Sequence, residues 1–220
     1  MFYKKLAIFV LSIAILFVSA HQCFRPKKFG TVVILNGSPC VGKSTTIKAI
    51  QAKQNQLWLG MGIDNFFVGV LPTGFFTENK SGYNTHAVMQ GIATEDEEGK
   101  LFSLYLGEQG NKIIKGMHRA IAAYARSGNN ILVDYTPYNA SSREDFEEAL
   151  AGIPVIKVGM MASLPILLQR EKLRGTSPEG LVRSQYEIAH QGWNYDLEID
   201  TDYITADQAA DLIIEKINKN

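Results

Sequence analysis

Cysteine is scarce in this chain: its 220 residues include two, Cys23 and Cys40. Two cysteines do not supply a disulfide framework or a set of zinc ligands. Internal repeats and low-complexity tracts are also absent from the sequence. The composition therefore favours an ordinary globular protein over a repeat protein, a disulfide-rich scaffold or a zinc-binding module.

An excess of basic charge is absent as well. The chain has 22 basic and 22 acidic residues, for a formal net charge of +0. Five basic and no acidic residues lie within residues 1–28, so residues 29–220 are mildly acidic. This balance argues against a broad nucleic-acid-binding surface, and we expect no nucleic-acid partner.

The first 28 residues differ in character from the rest. Lys4 and Lys5 precede an apolar run over residues 6–20. As a helix this run would be about 22 Å long, shorter than a hydrocarbon core of about 30 Å. The pattern fits a cleaved signal peptide, or an uncleaved anchor that contacts the membrane. The location therefore stays open between the cytoplasmic face and export, and residues 29–220 are predicted to form one domain.

Residues 37–44 read Gly-Ser-Pro-Cys-Val-Gly-Lys-Ser, a complete G-x-x-x-x-G-K-S motif. A β-branched run at 31–35 precedes it and a helix-compatible stretch at 44–56 follows, which disfavours a chance match in an ordinary strand-turn-helix. Backbone N–H groups in such a loop bind phosphate oxygens, the lysine reaches the β- and γ-phosphates, and the serine holds Mg²⁺. The predicted ATP-binding residues are Gly37, Ser38, Pro39, Cys40, Val41, Gly42, Lys43, Ser44 and Thr45.

Strand-like and helix-like segments alternate through the remainder of the chain. The predicted strands are 31–35, 57–63, 131–134, 155–160 and 197–200, and the predicted helices are 44–56, 109–127, 142–151, 165–174 and 206–217. This alternation predicts an α/β fold with a parallel sheet flanked by helices. Thr205 and Gln208 are spaced as a capping box for the last helix.

Residues 71–109 do not follow the alternation. They are rich in Gly, Asn and Thr, and residues 96–100 read as a hairpin turn between two strands. We interpret the stretch as a substrate-side insertion, with a plain surface excursion as the alternative.

Two aspartates follow predicted strands, where ligands bind in open α/β sheets. Asp64 follows the second strand and is a candidate general base for an attacking hydroxyl, or the N-cap of a short helix beginning at Asn65. Asp134 ends the apolar strand 131–134 and is predicted to hold Mg²⁺ together with Ser44, the alternative being a turn residue.

Arginines are the candidates for stabilising a transferring phosphoryl group. Arg170 and Arg174 are four residues apart and share one helix face. Together with Arg183 they are expected to close over the phosphates as a lid at residues 165–185, the alternative being a solvated helix face. His190 is expected to have a structural role.

The chain resembles the chloramphenicol phosphotransferase-like proteins, a branch of the P-loop kinases. The resemblance spans nearly all of residues 31–217. It is carried by Ile34 to Gly37 and the phosphate loop, Gly62-Ile63-Asp64, Ile131 to Asp134, Arg170-Glu171-x-x-Arg174-Gly175, Gln185, His190, Gly192 and Tyr195 to Thr201.

The resemblance implies a P-loop NTPase/kinase fold, Asp64 as the general base, and chloramphenicol as the acceptor. The sequence departs from the family pattern at two places. Tyr135 replaces the second aspartate of an Asp-Asp pair, and Arg174-Gly175-Thr176-Ser177 lacks one arginine of the lid. Residues 71–109 match weakly.

The sequence therefore predicts an ATP- and Mg²⁺-dependent O-phosphotransferase that acts on a small-molecule hydroxyl, with Lys43, Asp64, Arg170 and Arg174 as catalytic residues. A kinase of nucleotide sugars, similar to zeta toxins, is the enzymatic alternative. A nucleotide-binding switch is disfavoured because the sequence has no Asn-Lys-x-Asp signature, although residues 96–99 match D-x-x-G. A pseudo-kinase that binds a ligand without turnover is the remaining alternative.

Overall fold

A computed structural model describes residues 28–67, 69–72, 75, 88–138 and 140–219. The predicted leader, apart from Lys28, lies outside the described residues, as does much of the predicted insertion between residues 73 and 87. Among the helices of the described ranges, none combines the length and the apolar character that crossing a bilayer requires.

Seven strands and seven helices are described. The strands are β1 (Val32–Asn36), β2 (Trp58–Gly62), β3 (Met89–Asp96), β4 (Gly99–Leu106), β5 (Asn130–Tyr135), β6 (Val155–Met161) and β7 (Leu197–Asp200). The helices are α1 (Lys43–Lys53), α2 (Ile63–Phe67), α3 (Glu108–Arg126), α4 (Ala140–Ala149), α5 (Leu164–Arg174), α6 (Leu181–Tyr186) and α7 (Ala206–Asn218).

Five strands form one sheet in the order β2-β5-β1-β6-β7, with every neighbouring pair parallel. All five residues of the central strand β1 are buried, as expected for a parallel strand covered by helices on both faces. One hydrophobic cluster, which includes residues of α3 and α4, packs on one face, and another, which includes residues of α1 and α7, packs on the other. The predicted α/β fold with a parallel sheet flanked by helices is confirmed.

Strands β3 and β4 form a separate two-stranded antiparallel sheet. Asp96 pairs with Gly99 at its tip, where Gly99 has a φ of 116° that favours glycine. The hairpin predicted at residues 96–100 is confirmed. Its strand β4 lies against α6: the Phe102 N–H donates to the Gly180 carbonyl at 3.1 Å, and the Ser184 hydroxyl donates to the Phe102 carbonyl at 2.6 Å.

The structure differs from the predictions made from the sequence in three local features. Helix α1 begins at Lys43 and ends at Lys53, three residues earlier than expected. Helix α2 begins at Ile63, so Asp64 lies inside its first turn and the interpretation of Asp64 as an N-cap is wrong. The six-residue helix α6 was not predicted. The capping box of α7 is present, with Thr205 and Gln208 each bonding the other's backbone N–H.

A polar side chain, that of His118, is buried on the face of the sheet that α3 and α4 cover. His118 is 0% exposed, its Nδ1 lies 2.7 Å from Asp145 Oδ2, and its Nε2 lies 3.3 Å from the Tyr135 hydroxyl. A neutral ring satisfies both contacts, since Nδ1–H donates to the carboxylate and Nε2 accepts from the hydroxyl. Burial lowers the pKa of His118 despite the opposing effect of Asp145.

We expect this histidine to make the protein less stable in mild acid. As the pH falls below about 6.5, the unfolded chain takes up a proton that the folded His118 resists. The free energy of unfolding then falls by at most about 1.4 kcal/mol per pH unit for this group. Denaturant unfolding between pH 7.5 and 5 will show a shallower pH dependence for His118→Gln than for the unchanged protein. The remaining slope belongs partly to His190, whose pKa is also lowered by burial. An identical slope in the variant would contradict this account.

Candidate active site

A cavity of about 940 Å³ opens at the carboxyl ends of β2 and β5 and beside the loop that follows β1. Ligands of open α/β sheets bind at this edge. The predicted site residues that line it are Pro39, Cys40, Val41, Gly42, Lys43, Ser44, Thr45, Asp64, Asp134, Arg170 and Arg174. The fold therefore brings eleven of the thirteen predicted residues to one cavity.

The other two, Gly37 and Ser38, lie at the base of the loop. A Cβ atom at Gly37 would come within 2.4 Å of the Met160 carbonyl oxygen, so only glycine fits beside β6. Ser38 lines a smaller cavity of about 250 Å³ behind the loop, together with His190. The carbonyls of both Gly37 and Ser38 point towards Lys43.

The phosphate loop turns sharply into α1. Gly42 precedes the helix with φ 102° and ψ 10°, and no side chain caps the helix start. Cys40 has a φ of 65°, the only positive value for a non-glycine residue in the described ranges. A helix start with free N–H groups and a positive dipole end is an anion-binding site.

Lys43 is 6% exposed, and its ammonium has three oxygen neighbours. Nζ donates to the Gly37 carbonyl at 2.7 Å and to the Ser38 carbonyl at 3.0 Å, and lies 3.7 Å from Asp134 Oδ1. Burial lowers the pKa of Lys43, and the Asp134 carboxylate opposes that shift. If the ammonium moved from these carbonyls to a bound phosphate, it would exchange neutral hydrogen-bond acceptors for charged ones.

Ser44 and Asp134 are in direct contact. The Ser44 hydroxyl donates to Asp134 Oδ2 at 2.5 Å. The contact follows from the sheet, because β5 pairs with β1 so that Asp134 lies beside Leu35, just before the loop. A hydroxyl and a carboxylate are oxygen ligands of the kind that Mg²⁺ prefers, so this pair fits the predicted metal site.

Asp64 is exposed at the cavity wall in the first turn of α2. The Gly62 N–H donates to Asn65 Oδ1 at 2.8 Å and so fixes the turn from β2 into α2. A Cβ atom at Gly62 would lie 3.0 Å from Asp134, so glycine leaves room for both aspartates. Burial raises the pKa of Tyr138, and the Asp64 and Asp134 carboxylates raise it further. The Tyr138 phenol therefore stays protonated as a hydrogen-bond donor in the cavity.

The three arginines of the predicted lid separate into two groups. Arg170 donates to the Thr201 hydroxyl at 3.0 Å and to its carbonyl at 2.7 Å, and Arg174 donates to the Thr176 hydroxyl at 3.1 Å. Both line the cavity. Arg183 instead binds the tip of the β3–β4 hairpin, at 2.6 Å from Asp96 and 3.0 Å from Glu98. The expectation that Arg183 joins the other two above the phosphate loop is wrong.

His190 takes part in a hydrogen-bonded group beneath the loop. Its Nδ1 lies 2.7 Å from the Tyr195 hydroxyl, which also accepts from Asn36 Nδ2 at 2.6 Å. Asn36 Nδ2 donates to the Ala189 carbonyl as well. These contacts tie the end of β1 to the segment after α6, as expected for a structural histidine.

Several cavity residues had no role predicted from sequence. Thr136 donates to the Gly37 carbonyl at 3.0 Å and supports the same oxygen that Lys43 binds. Leu104 reaches the cavity from β4, and Gln185 reaches it from α6. Thr136 could have been found from its position two residues after Asp134, at the end of a predicted strand. The other two depend on the packing of the hairpin against α6.

Comparisons with known proteins agree with this geometry. The family model described as "Chloramphenicol phosphotransferase-like protein" matches residues 30–218. A Mycobacterium tuberculosis protein named as a predicted O-phosphotransferase is 27% identical over 173 residues, which cover 78% of this chain and 75% of the relative.

Solved structures with a similar fold are kinases or related proteins of low sequence identity. The APS kinase of M. tuberculosis, in complex with AMPPNP and APS, is 16% identical with a TM-score of 0.57, over 86% of this chain and 98% of that chain. The tunicamycin resistance protein of Deinococcus radiodurans is 15% identical with a TM-score of 0.57, over 86% and 95%. The shikimate kinase of Acinetobacter baumannii is 14% identical with a TM-score of 0.53, over 88% and 96%. At these identities the likeness establishes the fold.

Replacement of Lys43 by methionine should separate stability from ligand binding. Methionine removes a charge that is costly to bury, and Asp134 is exposed enough to remain hydrated, so the ligand-free protein should unfold at an unchanged or higher temperature. Stabilisation by Mg²⁺-ATP in thermal unfolding should disappear. Lys53→Met, in the same helix but in a surface ion pair, is the matched control and should retain it. Stabilisation of Lys43→Met to the unchanged protein's extent would contradict the predicted role.

Proposed function

This chain belongs to the chloramphenicol phosphotransferase-like family, and we propose that it is a kinase that transfers the γ-phosphoryl group of ATP to a hydroxyl of a small molecule. The observation that carries the proposal is the joint presence, in one cavity, of the Lys43–Ser44–Asp134 cluster and a separate exposed carboxylate, Asp64. The cluster suits a nucleotide phosphate, and the second carboxylate suits an alcohol.

The nucleotide side uses the phosphate loop. The backbone of residues 37–42 and the start of α1 would bind the phosphates, and Lys43 would bind the β- and γ-phosphates. Ser44 and Asp134 would hold Mg²⁺, which when bound neutralises phosphate charge. The hydrogen bond between the two side chains supports this ligand set, because it holds both oxygens close together beside the loop.

The acceptor side uses Asp64. Its carboxylate accepts a hydrogen bond from the acceptor hydroxyl and takes the proton as the oxygen attacks the γ-phosphorus. A bond forms between that oxygen and phosphorus, the bond to the β–γ bridging oxygen breaks, and ADP leaves. Arg170 and Arg174, which line the same cavity, would stabilise the negative charge on the transferring group.

The alternatives of a different class receive less support. The D-x-x-G sequence at residues 96–99 lies at the tip of the β3–β4 hairpin, and Arg183 binds Asp96 there. It is therefore not placed as the phosphate-sensing element of a nucleotide switch. A pseudo-kinase is disfavoured because Lys43, Ser44, Asp64 and Asp134 all reach the cavity. A nucleotide-sugar kinase differs only in the acceptor, so acceptor screening distinguishes it.

Asp64→Asn is the direct test of this proposal. Asparagine has the same shape but cannot take a proton, so the rate of transfer should fall about 100-fold to 10,000-fold. Binding of Mg²⁺-ATP should be unchanged. The assay incubates the full chain with Mg²⁺-ATP and chloramphenicol, then with a panel of other alcohols and nucleotide sugars, and detects the phosphorylated product by mass spectrometry.

Asp207→Asn is the matched control, because Asp207 is an exposed residue of a surface ion pair and its loss should cost little. Transfer at an undiminished rate by Asp64→Asn would remove Asp64 as the base. Absence of ATP binding by the unchanged protein would overturn the kinase proposal itself.

A further inference from the structure

The side-chain carbonyl oxygen of Gln185 is buried without a hydrogen-bond partner among the described residues. The residue is 4% exposed, and Oε1 makes no hydrogen bond to any part of the chain that the structure describes. Most buried polar groups are paired, because an unpaired one has lost its hydration without gaining a hydrogen bond in return. Such a group therefore requires an explanation.

The amide is at the wall of the main cavity, together with Leu181 one turn earlier in α6 and Leu104 of β4. Among the described side-chain atoms that are buried without a partner, only those of Gln185 and Thr46 belong to residues that line this cavity. Of the two, only Gln185 carries its donor and its acceptor on separate atoms, the amide nitrogen and the carbonyl oxygen. It is suited to a ligand that offers a hydroxyl or an amide.

The position of Gln185 is fixed by hydrogen bonds that hold its helix, α6. The Glu171 carboxylate of α5 accepts from the Gly180 N–H at 3.1 Å and from the Val182 N–H at 2.8 Å, at the start of α6. On the opposite side Arg183 and Ser184 donate to the carbonyls of Gly99 and Phe102 in the hairpin, at 2.7 and 2.6 Å. Helix α6 is therefore held from both sides.

Helix α6 and strand β4 pack so closely that α6 has little room to shift. A Cβ atom at Gly180 would lie 2.6 Å from the Lys100 carbonyl oxygen, so the backbones of α6 and β4 are in direct contact. The two preceding side chains, Arg183 and Ser184, have partners, whereas Gln185 Oε1 has none in the described part of the chain. Because α6 is held this closely, loose packing does not explain why the Gln185 oxygen is unpaired.

We propose that the Gln185 amide binds the alcohol acceptor, through a hydrogen bond to a polar group of the acceptor other than the hydroxyl that receives the phosphoryl group. The inference rests on the proposed function. An amide is a poor match for phosphate, for which the cavity has Lys43, Arg170 and Arg174. Leu104 and Leu181 beside it provide apolar contact, so the substrate class is an uncharged alcohol that carries a second hydroxyl or amide and an apolar portion.

The test compares Gln185→Leu with Gln109→Leu in the full chain, using Mg²⁺-ATP and chloramphenicol, and then the same panel of alcohols. Gln109 is exposed on α3 and does not line the cavity, so it is the matched control. In Gln185→Leu, kcat/KM for the acceptor should fall about tenfold, as for the loss of one hydrogen bond between neutral groups. The KM for ATP should be unchanged.

The thermal unfolding temperature provides an independent readout. Because leucine removes the buried, unpaired oxygen of Gln185, the variant should unfold at an unchanged or higher temperature. Gln185→Met, which is closer in shape to glutamine, serves if the branched side chain does not fit.

The outcomes separate the two proposals. If the unchanged protein phosphorylates an alcohol and both Gln185 variants keep its kcat/KM, the assignment of Gln185 is wrong and the kinase function stands. If the variants unfold at a lower temperature or lose affinity for ATP as well, Gln185 is structural and the assignment is again overturned. If the unchanged protein phosphorylates no alcohol of the panel, the proposed function fails, and this inference with it.

Discussion

The burial of the Lys43 ammonium is the interaction on which the site depends. Removing a charge from water costs several kcal/mol unless nearby groups replace the lost hydration. Here two loop carbonyls and the Asp134 carboxylate do so. The carboxylate arrives from β5 and the carbonyls from the end of β1, so the cluster requires the parallel pairing of these strands. A shift of one residue in their register would turn Asp134 to the opposite face.

The alternation of side chains between the two faces of a strand also determines where the residue after Asp134 points. Tyr135 points to the other face of the sheet, where its ring stacks on Phe146 at 5.0 Å and lies 5.7 Å from Trp193. Its hydroxyl contacts His118. The departure from the Asp-Asp pattern of the family therefore changes the packing of the core and leaves the cavity side of β5 unaltered.

The sequence was sufficient for features that depend on local patterns. The phosphate loop, the strand before it, the aspartate after a buried strand and the hairpin turn are each encoded within about ten residues, and the fold has them where they were predicted. The helix α6 is short and has no distinctive periodicity. Its contacts join residues more than 80 positions apart, such as Arg183 with Asp96, and a pattern along the chain does not reveal such pairs. For the same reason the sequence placed Arg183 with the lid and gave no role to Gln185.

The two-stranded sheet shares no hydrogen-bonded edge with the five-stranded sheet in the part of the chain that the structure describes. It nevertheless contributes Leu104 to the cavity wall. The strands that hold the phosphate loop and the strand that contributes Leu104 to the cavity thus belong to separate sheets. Substitutions in β3 and β4 can alter the shape of the cavity without altering the register of β1 and β5. Such a division lets the range of molecules that a protein accepts diverge during evolution, or be redesigned, while its phosphate-binding framework is retained.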